Sequence, residues 1–180
     1  FIMNHSNIWD CEDLKKLNDI IFDCGGSLEG NALYRNGTRT FEIRENLDDL
    51  RENLYNSARR RKKILEVGFN AGHSNLLFLH ANPKAEILNF DLMGHKYSYP
   101  CYDYLKSKYN ISLIQGNSMK TLLEKDREVF DLIHIDGGHN DKTSFSDLVN
   151  CKKFAHKRTI MIFDDTNSES ITRILEFAIS

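Results

Sequence analysis

Apolar residues follow two different spacings along this chain. Over residues 10–22 and 45–60, leucines and isoleucines recur every three or four positions, which predicts two amphipathic helices separated by a polar, glycine-rich loop at residues 25–40. From residue 63 onward, short apolar runs alternate with helical patterns. The predicted strands are 64–67, 85–90, 111–115, 130–135 and 159–163, and the predicted helices are 74–80, 102–109, 118–125, 142–154 and 170–179.

This alternation predicts an α/β fold with a doubly wound, Rossmann-like, mostly parallel sheet flanked by helices. Residues 1–60 are expected to form an N-terminal helical cap segment, and residues 61–180 the core of the same single domain. The chain starts at Phe1 and stops within a predicted helix. We therefore expect a domain from a longer chain, with fusion to another enzyme module left open.

Polar residues stand at the ends of the predicted strands. Ligands of open parallel sheets bind outside the carboxyl ends of the strands, so these positions are the candidates for a functional site. Four of the five ends carry carboxylates or small polar groups, which packing alone does not require. The residues at the five ends are Gly68, Asp91, Gly116 with Asn117 and Ser118, Asp136, and Asp164 with Asp165.

The first strand leads into a glycine turn, within the stretch KKILEVGFNAGHSNLLFL at residues 62–79. Glycines let the chain turn sharply and let a ligand approach the backbone, and the helix that follows presents free N–H groups. The spacing, Glu66-x-Gly68-x-x-x-Gly72, differs from the G-x-G-x-x-G pattern of dinucleotide sites, which disfavours a nicotinamide-dependent oxidoreductase. Asn70 and His73 lie inside this turn and are expected to contact the cofactor. A turn needed only for strand–helix packing is the alternative.

The next two strand ends suit an adenosine group. Asp91 can accept hydrogen bonds from a ribose, as acids do in nucleotide-binding α/β folds. Asn117 and Ser118 are placed to meet the edge of an adenine ring, and either residue could also cap the following helix.

Three carboxylates are predicted to converge at the last two strand ends. Asp136, Asp164 and Asp165 would repel one another unless a divalent cation bound between them, and oxygen-only ligation favours Mg²⁺, Ca²⁺ or Mn²⁺, of which Mg²⁺ or Mn²⁺ is the expected cofactor. The alternative is that Asp136 binds only the cofactor and the other two cap a helix. His139, which follows Asp136 and a glycine pair, is the candidate general base. His134 lies mid-strand and is expected in the core.

The segments EVGFNAGHS, NFDLM, LIQGNS, FDLIHIDGGH and MIFDD, taken in this order, resemble class I S-adenosylmethionine (SAM) methyltransferases. They are most similar to the metal-dependent small-molecule O-methyltransferases, which include the catechol, caffeoyl-CoA and macrocin-type enzymes. The resemblance covers roughly residues 25–167. The final strand pair of the family has no counterpart, because the chain stops at Ser180.

The resemblance implies roles for individual residues. Glu66, Gly68 and Ser74 match the motif that holds the methionine end of SAM, Asp91 matches the ribose-binding acid, and Leu92 lies beside the adenine. The adenine edge is matched by Ser118, the first metal ligand by Asp136, and the ligand pair on the next strand by Asp164 and Asp165. His139 occupies the position where catechol enzymes place a catalytic lysine. A loose match at residues 28–31 resembles the segment that closes over SAM.

The function so implied is methyl transfer from SAM to a hydroxyl of a small molecule or glycan, assisted by a divalent metal. The Asp-Asp pair and the histidine favour a sugar hydroxyl over a catechol. Two alternatives stay open. One is a metal-free methyltransferase acting on nitrogen or carbon, and the other is a non-catalytic SAM-binding scaffold.

Charge and cysteine usage limit the partners and the cellular compartment that we expect. The net charge of −2 gives no nucleic-acid footprint, and no apolar run reaches the length of a membrane span. The four cysteines form no C-x-x-C pair, which argues against a zinc site or a disulfide framework. We therefore expect a cytoplasmic, intracellular enzyme without nucleic-acid or membrane partners, with a homodimer left open.

Overall fold

Five strands form one sheet in the part of the chain that the computed structural model describes, which is residues 4–37, 40–164 and 172. The sheet order is β3-β2-β1-β4-β5, and β4 pairs in parallel with both β1 and β5. The strands are β1 (Lys63–Val67), β2 (Glu86–Asp91), β3 (Ile111–Gln115), β4 (Leu132–Ile135) and β5 (Ile160–Phe163). All five predicted strands are therefore confirmed, with boundaries shifted by at most two residues.

The helices of the described residues also follow the predicted order. They are α1 (Glu12–Asp23), α2 (Asp48–Ala58), α3 (His73–Ala81), α4 (Ser98–Lys106), α5 (Ser118–Glu124) and α6 (Asp141–Cys151), with 3-10 turns at His5–Asp10, Glu45–Leu47 and Lys152–Phe154. The largest difference from prediction is α4, which begins four residues early. Pro100 lies in its first turn, where a missing N–H costs no helical hydrogen bond. The helix predicted at 170–179 lies outside the described residues, apart from residue 172.

The chain divides into two compact units. Among the described residues, the helical unit consists of those within 1–62, 69–86 and 93–111, and the sheet unit consists of those within 63–68, 87–92 and 112–180. In the helical unit, α1 packs against α4 and α2 against α3. The buried carboxylate of Asp13 on α1 accepts hydrogen bonds from the hydroxyls of Tyr104 and Tyr109, both at 2.6 Å, and from the Lys108 ammonium. Burial alone would raise the pKa of Asp13, but these donors outweigh it and lower the pKa.

The sheet unit has one predominantly apolar face. Side chains of alternating strand residues such as Leu65, Val67 and Ile133 pack there with residues of α5 and α6. The strand order reverses between β1 and β4, because β2 and β3 lie on one side of β1 and β4 and β5 on the other. Such a switch point is where open α/β sheets bind their ligands.

Candidate functional site

The backbone ladder continues past the strands and aligns their carboxyl ends. The Asp136 N–H donates to the Val67 carbonyl at 2.8 Å, and the Asp164 N–H donates to the Ile135 carbonyl at 3.0 Å. Asp136 and Asp164 are therefore held side by side by main-chain bonds, at the ends of β4 and β5. The sequence-based expectation that these acids share one edge of the sheet agrees with this geometry.

Gly68 occupies the switch point at the end of β1. Its φ of +99° is a backbone conformation that side chains rarely adopt. A Cβ added to Gly68 would lie 2.0 Å from the Asp136 carbonyl oxygen. Glycine is therefore required here by the close approach of the two strand exits, in addition to any ligand.

A small cleft opens at the exits of β4 and β5. Two predicted metal ligands, Asp136 and Asp164, line it together with the predicted base His139. The remaining lining residues are Ile135, Gly137, Gly138, Ser144 and Phe163. The structure thus brings three of the residues predicted for catalysis or metal binding to one cleft within the sheet unit.

The turn that carries His139 is fastened to α6. The Asn140 side chain caps this helix by accepting from the Thr143 N–H at 3.0 Å. The Ser144 hydroxyl donates to the Gly138 carbonyl at 2.9 Å. These bonds fix the path of the chain between Asp136 and α6.

The predicted adenosine-binding positions lie at the ends of β2 and β3. The Gly116 N–H donates to the Asp91 carbonyl at 2.9 Å, which joins these two exits. The Asn117 side chain caps α5 by accepting from the Met119 N–H at 3.0 Å, so the capping alternative holds for Asn117. Leu92 leaves 67% of its surface exposed, which gives this edge an apolar side chain available to a flat ring.

Glu66 lies in the core of the sheet rather than at its edge. Its carboxylate is fully buried and bonds the His134 Nδ1 at 2.7 Å across the register pair that joins β1 and β4. Burial alone would lower the pKa of His134, but the hydrogen bond to Glu66 and the charges of Glu66, Asp136 and Asp164 raise it. The placement of His134 in the core agrees with the prediction, whereas its acidic partner was not foreseen.

The rest of the glycine turn belongs to the helical unit. Asn70, at φ +52°, donates from its side chain to the carbonyls of Glu29 and Gly30, the latter at 2.6 Å. These two hydrogen bonds fasten the segment at residues 28–31 to the turn. Gly72 has a φ of +79° and precedes α3, whose residue Ser74 is buried.

His73 is buried in this turn of the helical unit. Burial lowers the pKa of His73 to about 4, so its ring is neutral near pH 7. The ring meets the Tyr34 ring edge-on at 5.6 Å. A neutral imidazole can exchange hydrogen bonds with a ligand but offers no positive charge to a carboxylate.

Comparison with known proteins identifies the family. A family profile described as a methyltransferase domain matches residues 65–166, more than half of the chain. The chain belongs to this methyltransferase-domain family. The match spans β1 to the end of β5, and it confirms both the resemblance to class I methyltransferases and the predicted enzyme class. No curated protein matches the sequence of this methyltransferase.

Solved structures share the fold of this methyltransferase. The O-methyltransferase TomG from Streptomyces achromogenes, in complex with SAM, has a TM-score of 0.63 at 13% identity over 98% of this chain and 83% of its own. Cofactor-bound Rv0187 from MTB has a TM-score of 0.67 at 14% identity over 93% and 77%. The S-adenosylhomocysteine (SAH)-bound methyltransferase PaMTH1 from Podospora anserina has a TM-score of 0.60 at 18% identity over 72% and 68%. The predicted fold class is therefore confirmed.

The candidate metal ligands of this methyltransferase fit a divalent cation in type. Asp136 and Asp164 both line the cleft and carry carboxylates, and Mg²⁺ or Mn²⁺ prefers oxygen ligands. The third predicted ligand, Asp165, lies outside the described residues. Among the residues that are described, no three potential metal-binding side chains gather at one point.

Two polar side chains at this cleft were not predicted from the sequence. Ser144 lines the cleft, and Asp147 lies beside Gly137, which also lines it. Both are buried and stand three residues apart on α6, next to the apolar Leu148. The only signal in the sequence would have been polar residues at buried positions of α6. The apolar spacing of α6 is too weak to show which of its positions are buried.

The remaining predictions concern disulfides, membrane spans, domain limits, oligomeric state and cellular location. All four cysteines are free thiols, in agreement with the absence of a disulfide framework. Among the described residues, no helix combines the length and apolar character needed to cross a membrane. The predicted domain limits, homodimer and cytoplasmic location stay predictions.

Proposed function

We propose that this methyltransferase transfers the methyl group of SAM to a hydroxyl oxygen of a small molecule or glycan, assisted by a divalent cation. One observation carries the proposal: Asp136, His139 and Asp164 line the same cleft at the carboxyl ends of β4 and β5. Two carboxylates beside an imidazole suit cation binding and proton transfer at one acceptor oxygen. The SAM and SAH bound by two structural neighbours support the choice of methyl donor.

The exits of β1, β2 and β3 would hold the donor. Asp91 would accept from the ribose hydroxyls, with Leu92 and Ser118 at the adenine. Gly68 would leave the backbone open to the methionine end. Glu66 would support this end from the core through its bond to His134, because its carboxylate is fully buried.

Methyl transfer requires one bond to form as another breaks. The acceptor oxygen attacks the methyl carbon, the carbon–sulfur bond of the sulfonium breaks, and SAH leaves. His139 takes the hydroxyl proton on its imidazole. Holding oxygen, carbon and sulfur in line contributes up to about 7–11 kcal/mol to such reactions.

Asp136 and Asp164, together with Asp165, would hold the cation. A bound divalent cation lowers the pKa of a hydroxyl that it contacts and orients it. His139 lines the same cleft as Asp136 and Asp164. An acceptor oxygen bound to the cation would therefore lie in the cleft that His139 lines.

A sugar hydroxyl is the favoured acceptor. The support is the resemblance of the Asp164-Asp165 pair and of His139 to the sugar-modifying branch of the family.

The test separates donor binding from transfer. Asp136→Asn and Asp164→Asn are expected to lower methyl transfer from labelled SAM at least about a hundredfold, the range for losing a group that acts only on the reaction step. Both variants should still bind SAH in calorimetry. Asp126→Asn, at an exposed position outside the cleft, is the matched control and should retain full transfer.

Removal of metal completes the test. Excess chelator should abolish transfer by the parent protein, and Mg²⁺ or Mn²⁺ should restore it. Full transfer in chelator would contradict cation assistance and favour the metal-free alternative. SAH binding without transfer to any pool of hydroxyl acceptors would instead favour a scaffold.

A further inference from the structure

A pair of glycines, Gly137 and Gly138, leads from the end of β4 to the candidate base His139. Glycine has no Cβ and the largest conformational freedom of any residue, so two in succession form a mobile link unless other groups hold them. A reacting group that is misplaced by about 1 Å can lose about a hundredfold in rate. A base carried on this link therefore needs contacts that fix it.

The first turns of α6 supply such contacts. A Cβ added to Gly138 would lie 2.8 Å from the Thr143 Cγ2, so the Gly138 backbone already packs closely against this side chain. The Ser144 hydroxyl donates to the Gly138 carbonyl at 2.9 Å. Gly138 is therefore held from α6 both by packing and by a side-chain hydrogen bond.

The hydroxyl of Ser144 points out of its own helix. A serine within a helix often bonds the carbonyl four residues earlier, which for Ser144 is the carbonyl of Asn140. That carbonyl accepts the Ser144 main-chain N–H at 2.9 Å, whereas the hydroxyl reaches Gly138, before the helix begins. Ser144 is only 3% exposed and lines the cleft together with His139, so water competes little for this bond.

We propose that Ser144 is a positioning residue, whose bond to the Gly138 carbonyl holds His139 at the cleft. This carbonyl belongs to the planar peptide group that joins Gly138 to His139, so fixing the carbonyl also fixes the start of the His139 backbone. The inference rests on the proposed function, because it takes His139 as the base. Ser144 acts through His139 and takes no proton from the acceptor.

The first measurement needs no acceptor. NMR relaxation gives the order parameters of the main-chain N–H groups of Gly138 and His139, which should be about 0.85 in the parent protein, the value of rigid backbone. Ser144→Ala removes only the hydroxyl, and both values should fall toward about 0.6. Ser144→Thr keeps a hydroxyl and should restore them. Ser146→Ala is the matched control, because the Ser146 hydroxyl accepts from the Asn150 side chain on the same helix, at 3.1 Å, and should change neither value.

The second measurement is methyl transfer from labelled SAM to the best acceptor of a pool of catechols and methyl glycosides. Ser144→Ala should lower kcat about ten- to a hundredfold and leave the KM for SAM unchanged, because positioning acts on the reaction step. In a His139→Gln background the same substitution should change kcat by less than about twofold, because Ser144 then has no base to position. Ser146→Ala should match the parent protein in kcat and KM.

The outcomes separate this inference from the proposed function. Unchanged order parameters in Ser144→Ala would overturn the role of Ser144, and so would a loss of order throughout the sheet unit, which would show a general structural role. An equal loss of kcat with and without the His139 side chain would overturn it as well. Failure of the parent protein to transfer a methyl group to any acceptor would overturn the proposed function, whereas the order parameters would still decide whether Ser144 holds the turn.

Discussion

At the scale of single residues, the most unusual feature is a pair of ionisable groups in the middle of the sheet. Glu66 and His134 are both buried, and they bond each other at 2.7 Å. A buried pair of this kind stabilises little by itself, but removing one partner leaves the other without compensation. The pair joins β1 to β4 at one register position, in the two strands whose exits form the switch point.

We expect the effects of substituting Glu66 and His134 on the free energy of unfolding to be strongly non-additive. Glu66→Leu and His134→Leu should each lower the free energy of unfolding by about 3–5 kcal/mol, because each strands one polar group in the core. The double variant should cost less than the sum of the two, by up to about 3 kcal/mol. Urea denaturation of all four proteins measures this. The exposed pair Arg35 and Glu42, 3.9 Å apart, is the control and should show little coupling. Additive losses in the Glu66–His134 cycle would contradict the account.

Asp147 should make the stability of the protein depend on pH. Its pKa is about 6 in the folded protein, above the ordinary value of 3.8, so the folded state binds more protons than the unfolded state between these values. Stability should therefore fall as pH rises from about 4 to about 6 and stay lowered above that. Asp147→Asn removes this loss and should be the more stable protein at pH 8, by on the order of 2 kcal/mol. Thermal unfolding across this pH range checks it, and a less stable Asn variant at pH 8 would contradict it.

At the scale of secondary-structure elements, the exits of β1 and β4 pack closely because Gly68 has no side chain. The Asp136 carbonyl occupies the space that a Cβ on Gly68 would need. The geometry of this exit therefore requires glycine for packing between the strands. The packing alternative holds at Gly68, and its contact with a cofactor stays a prediction.

Gly68→Ala should cost at least about 3 kcal/mol, because left-handed strain and overpacking against Asp136 add. Gly25→Ala is a matched control, since Gly25 also has a positive φ, +67°, but nothing lies within 4 Å of its Cβ position. It should cost only about 1–2 kcal/mol, the strain alone. Chemical denaturation compares the two variants. Equal losses would show that the approach of β4 does not require glycine at position 68.

The strands could be predicted because each is a short apolar run between turn residues, a local signal. The start of α4 could not, because Tyr97 and Ser98 are buried by tertiary contacts that the spacing of Tyr102 and Leu105 does not reveal. The 3-10 turn that precedes α1 was also missed, since its one buried residue, Ile8, sets no period.

At the scale of the whole molecule, the part of the site that could be predicted is the part that follows from the strand order alone. Parallel strands bring their carboxyl ends to one edge, so Asp136 and Asp164 meet although they are far apart in the sequence. Asp147 reaches the same region from the side of a helix, and its burial depends on how α5 and α6 pack, which no local pattern encodes. The buried partner of His134 was missed for the same reason, since register between strands decides it.

The central claim is that a cation and a SAM-derived adenosine bind at neighbouring strand exits. A cocrystal with SAH and Mn²⁺, with anomalous diffraction at the manganese edge, tests it most directly. We expect SAH with its ribose on Asp91 and an anomalous peak within coordination distance of the carboxylates of Asp136 and Asp164. SAH bound with no anomalous peak between these two acids, or bound away from Asp91, would contradict it.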